Sequence, residues 1–94
     1  MAVGDAVVNN SSISTTAFLD IQPGAGVEWY VHNIHHEAEI EISWYDGTNT
    51  ITTQAVLAAD KTPVNARVTN SIRLRVKNTN AGTKRIGYDA VVTK

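Results

Sequence analysis

The chain has 94 residues, 43% of them hydrophobic, with no cysteine and a net charge of −1. That composition implies one domain with a modest core, burying somewhat over ~60% of its unfolded surface. It excludes a disulfide framework and any thiolate metal site. The charge is segregated. Residues 1–47 hold Asp5, Asp20, Glu28, Glu37, Glu39, Glu41 and Asp46 with no Lys or Arg. Residues 48–94 hold Lys61, Arg67, Arg73, Arg75, Lys77, Lys84, Arg85 and Lys94 against Asp60 and Asp89, so the halves carry −7 and +6. A nucleic-acid partner would require the basic half to stay exposed and uncompensated. The preferred reading is mutual neutralisation of acidic and basic strands, within a subunit or between subunits. MAVGDAVVNN has no Lys or Arg and no long apolar run, so no secretory leader is expected. The longest aliphatic run, Ala55 to Ala59, falls far short of the ~20 residues of a membrane helix. A soluble protein made in a cytoplasm is expected.

Along the chain the dominant period is two. After an edge strand within Ala2–Val8, Ile13, Thr15, Ala17, Leu19 and Ile21 alternate with polar residues as far as Pro23-Gly24-Ala25-Gly26. Val27, Trp29 and Val31 then share one face and Tyr30, His32 and Ile34 the other. Ile40, Ile42 and Trp44 alternate with Glu39, Glu41, Ser43 and Tyr45, up to the turn Asp46-Gly47-Thr48-Asn49. Ile51, Thr53, Ala55 and Leu57 precede a loop at Ala59-Asp60-Lys61-Thr62-Pro63. Val64, Ala66 and Val68 are followed by Ile72, Leu74 and Val76, interleaved with Arg73, Arg75 and Lys77. A turn at Asn78-Thr79-Asn80-Ala81-Gly82 leads to the last alternation, Ile86, Tyr88, Ala90 and Val92. Seven or eight short strands with turns at this spacing predict an all-β fold. The expected architecture is an antiparallel β-sandwich, jelly-roll-like or Ig-like, forming a single domain over 1–94. The best helical window, Gln54–Lys61, is too short and runs into Thr-Pro.

The stretch NIHHEAEIEISWYDG, residues 33–47, concentrates the residue types that carry chemistry. His32 and His35 face opposite sides of a strand, and no histidine follows His36, so three or four ligands do not converge and no metal is expected. The spacing His-x-x-His-His also departs from the His-x-His of cupin enzymes. The histidines are expected in a hairpin loop. Glu39 and Glu41, about 7 Å apart on one strand face, have a spacing compatible with paired-carboxylate catalysis. They match a positive stripe of Arg73, Arg75 and Lys77, and a cross-strand charge ladder is the preferred role, with these five residues as the candidate protein interface. There is no G-x-S-x-G elbow and no phosphate loop. Trp29 and Trp44 point inward, leaving Tyr30 and Tyr45 as a candidate ligand face. No enzyme and no cofactor is expected.

QPGAGVEWYVHNIHHEAEIEISWYDGTN and VTNSIRLRVKNTNAGTKRIGYDAVVTK together resemble small virion structural proteins of tailed bacteriophages. The elements are a PGxG-x-EW strand entry, a WYDGTN hairpin, a VTNSIxLRVKNT strand and a closing IGYDxVVTK, over residues 22–94. A shorter likeness, DGT at 46–48 and AVLAADKT at 55–62, is to the lambda-type head decoration protein. The resemblance implies a non-enzymatic capsid decoration (cement) or tail-associated protein that resides in the virion. It would contact the major capsid protein or other virion proteins as a homo-oligomer, three copies being favoured. The alternative is a carbohydrate- or receptor-binding sandwich using Tyr30 and Tyr45.

Overall fold

A computed structural model describes residues 2–57 and 61–94. They form eight strands: β1 (Ala6–Ile13), β2 (Phe18–Ile21), β3 (Glu28–His36), β4 (Ile40–Tyr45), β5 (Thr50–Val56), β6 (Lys61–Thr69), β7 (Arg73–Asn78) and β8 (Lys84–Val92). Two four-stranded antiparallel sheets run β1-β8-β3-β6 and β2-β7-β4-β5. The smallest dimension of the molecule, 19 Å, is that of two sheets stacked about 10 Å apart. The expected antiparallel β-sandwich is therefore the fold. Its order is that of a jelly roll, not the Ig-like alternative. β1 pairs with β8, β2 with β7, β3 with β6 and β4 with β5, as nested rungs of one folded-over ribbon.

The nesting explains the charge pattern. Every strand pairing joins one strand from residues 1–47 to one from residues 48–94, so acidic-half and basic-half strands alternate across both sheets. The Arg ion pairs follow: Arg73 and Arg75 on Asp20, Arg67 on Glu28, Arg85 on Glu37. Four arginines are thus neutralised by neighbouring strands of the same chain.

The core is aliphatic, with Ile21, Val31, Ile34, Val68, Val76 and Val92 fully buried. Trp29, in its sequence-expected place, packs its ring 6.0 Å from that of Tyr88, and burial pushes the Tyr88 hydroxyl pKa up. Three expectations change. The alternation from Ile13 to Ile21 is two strands, because the chain leaves one sheet after Ile13 and enters the other at Phe18, with Thr16 at a left-handed φ of 61° between them. Along β3 a bulge between Val31 and Asn33 shifts the phase, so Ile34 is buried on the side of Trp29 and Val31 instead of facing out with Tyr30. The expected loop at 59–63 is strand from Lys61 onward, with Pro63 on the edge strand β6, where its missing N–H costs no ladder bond. Ala59 and Asp60 lie outside the described residues.

Trp44 is the fourth departure. It faces inward but is only partly buried, because the open cleft between the β5 and β6 edges lies against it. Trp44→Ala is therefore expected to cost about 2 kcal/mol in urea unfolding, well short of the ~3–5 of a fully buried tryptophan. A loss at the upper figure would show the cleft beneath β5 closed in solution.

Candidate functional site

The three histidines lie on β3, not in a hairpin loop, and they diverge. His36 points into the core, where its Nδ1 donates to the Ala38 carbonyl at 2.9 Å and its Nε2 meets the Thr62 hydroxyl at 2.7 Å. A carbonyl only accepts, so the hydrogen sits on Nδ1. His35 points outward and its Nε2 lies 2.6 Å from Asp89, which also accepts from Asn33 at 3.2 Å. His32, at the bulge, is exposed and edge-on to Tyr30. Among the described residues no three His, Asp or Glu side chains group as metal ligands. His35–Asp89 has the form of a base with its orienting carboxylate. Among the described residues, however, no hydroxyl is bonded to His35 to serve as nucleophile.

The expected charge ladder is built differently from its sequence reading. Glu41 stands opposite Lys77, and Glu39 precedes the strand, exposed. Arg75 instead reaches across to β2, where its Nε donates to Asp20 Oδ1 at 2.7 Å. Its guanidinium lies 4.0 Å from the centroid of the Tyr45 ring and 4.7 Å from that of Phe18. Arg73 lies 4.6 Å from the same Tyr45 ring, its Nε buried and without a hydrogen-bond partner among the described residues. This outer face of the β2-β7-β4-β5 sheet is a stack of cations and rings around one carboxylate, each cation–π contact worth about 0.5–1 kcal/mol. Asp20 and Phe18 were not flagged by sequence reasoning. Their signal was the nested pairing, which sets Asp20 against Arg75 and Phe18 against Lys77.

Tyr30 and Tyr45 occupy the outer faces of different sheets and form no common platform. Tyr45 is covered by the two arginines. At its foot, Asp46 accepts from the backbone N–H groups of Asn49 at 2.7 Å and Thr48 at 2.9 Å, which hold its carboxyl pKa below the usual range and fix the β4–β5 turn.

Two of the shallow, open clefts among the described residues bear on these side chains. One is lined by Asn10, His35, His36, Glu37, Arg85 and Gly87. The other, about 420 Å³, lies between the β5 and β6 edges against Ile42, Trp44, Val64, Ala66 and Leu74. No protein-family model and no curated protein matches the chain.

Proposed function

We propose that this chain is a non-enzymatic virion accessory protein of a tailed bacteriophage, a capsid decoration (cement) protein that binds and stabilises the capsid surface as an oligomer. The observation that carries the reading is the resemblance over residues 22–94. The chemistry-bearing side chains support it by their employment: His36 and Arg75 are engaged in contacts that hold strands and loops together. Jelly rolls also serve as viral capsid and lectin domains, which is analogy at the level of the fold. Part of the −7/+6 split is spent inside the chain, where four arginines pair with Asp20, Glu28 and Glu37.

Purified chain mixed with phage heads stripped of accessory proteins is expected to cosediment at fixed stoichiometry and to raise the temperature at which the heads lose DNA. A carbohydrate-binding role rests on Tyr30, which lies on the same outward face as the Asn33–Asp89–His35 cluster. Chain that binds neither heads nor tails but binds a defined glycan, and loses it in Tyr30→Ala, would replace the decoration reading.

A further inference from the structure

An edge strand presents a row of unpaired N–H and C=O groups, and folded chains blunt such edges with charge, proline, brevity or cover. Two of the four edges here carry such a device. β6 carries Lys61, Pro63 and Arg67, and β2 is four residues long. β1 also lacks charge, proline and glycine, but its inner face is sealed by Val7 and Ile13. β5 is different. Its sequence, Thr-Ile-Thr-Thr-Gln-Ala-Val, has no charge, proline or glycine. Six of its seven residues are exposed and Ile51 is 67% accessible, although its partner across the ladder, Trp44, faces inward. The inner side of β5 overhangs the open cleft of Trp44, Val64 and Ala66.

We propose that β5 is the edge through which two copies of this chain pair, antiparallel about a two-fold axis, joining two four-stranded sheets into one of eight. This rests on the reading of the protein as an oligomer and names its contact. The strand is self-complementary. Its bulge, between the partners of Ile42 and Ser43, puts Ile51, Gln54 and Val56 on the inner side and Thr52 and Ala55 on the outer. Directly opposed antiparallel residues share a face. A two-fold axis that sets Ile51 against the partner's Val56 therefore also sets Val56 against the partner's Ile51, while Thr52 faces the partner's Ala55 on the outside. Two aliphatic pairs form over the open clefts, and no like charges are opposed in any register. An isologous contact of this kind closes at two copies rather than the three that the phage resemblance favours.

The test is the mass of the full chain in solution by light scattering, before any head is added. Wild type is expected at twice the 10.2 kDa of one chain. Thr52→Lys/Ala55→Lys, which opposes lysines twice across the axis, is expected at the single-chain mass with unchanged circular dichroism. Mixing it with Thr52→Glu/Ala55→Glu is expected to restore the doubled mass, through lysine opposite glutamate in this register. A monomeric or trimeric wild type, a lysine variant that stays dimeric, or a mixture that stays monomeric overturns the β5 contact. A monomeric wild type that still coats stripped heads overturns this contact alone, whereas a β5 dimer that leaves heads bare overturns the decoration reading alone.

Discussion

Asn78→Ala is expected to lower the unfolding free energy by about 4 kcal/mol, as several buried polar groups lose their partner together. Asn78 is fully buried at the end of β7. Its Nδ2 donates to the carbonyls of Ile13 at 2.8 Å and Gly82 at 2.9 Å, and its Oδ1 accepts from the backbone N–H of Asn80 at 2.9 Å. Its backbone accepts from Thr16 N–H and donates to the Ala17 carbonyl. Asn80 extends the clasp, its Nδ2 reaching the Glu39 carbonyl at 2.8 Å. One side chain thus ties the β1–β2 and β7–β8 crossovers, and through Asn80 the β3–β4 crossover, at one end of the sandwich. Urea unfolding reads the loss; a variant within about 1 kcal/mol of the parent would mean that water replaces the amide. Asn78→Asp keeps the acceptor and loses both donors. Burial and facing carbonyls favour its protonated form, so its folded pKa is raised, and part of the lost stability is expected to return as pH falls toward about 4.

Gly87→Ala is expected to cost about 3 kcal/mol or more and to loosen β1 from its sheet. Gly87 is buried on β8 opposite Asn10. A Cβ there would run into the backbone carbonyl of Asn9 and the side chain of Asn10. A backbone atom cannot swing aside as a flexible side chain can, so β1 must move, at a cost toward or beyond the upper end of overpacking. Gly24→Ala is the matched control. Nothing lies within 4 Å of its Cβ position and its φ is not left-handed, so a change within about 1 kcal/mol is expected, tending to stabilise through the unfolded chain. Amide exchange of β1 should accelerate in Gly87→Ala and not in Gly24→Ala. Equal behaviour of the two would remove the close approach from the account.

The motifs that carry the phage resemblance sit largely on the loops that organise the sandwich. In WYDGTN, the Asp46 carboxylate fixes the turn and Gly47 supplies a φ of 96°. In VTNSI, the Ile72 N–H donates to the Thr69 hydroxyl at 3.1 Å, while the Asn70 side chain donates to the Pro23 carbonyl at 3.0 Å, joining it to the PGAG entry. In KNTN, Asn78 and Asn80 make the clasp described above. These residues account for why a chain with this pattern folds as it does.

The amino-acid sequence by itself determined the fold class, the strand count and most of the inner face. Alternation is a local property, and a face buried against another sheet rejects polar residues at every second position, as Ile40 and Ile42 or Leu74 and Val76 record. It also carried the acidic and basic halves openly. Tertiary structure alone decided what those halves are for, since the nesting of β1 on β8 and β2 on β7 is a choice between distant segments that no local period encodes. The same holds for the phase shift at His32, which requires a bulge against two neighbouring strands, and for the separation of Tyr30 from Tyr45 onto different sheets. Gly87 reads in sequence as one glycine among six, and only the approach of Asn9 across the ladder makes it irreplaceable. Likewise TITTQAV reads as any half-buried strand. Its exposure goes with the open cleft between its edge and that of β6, a matter of how the two sheets meet.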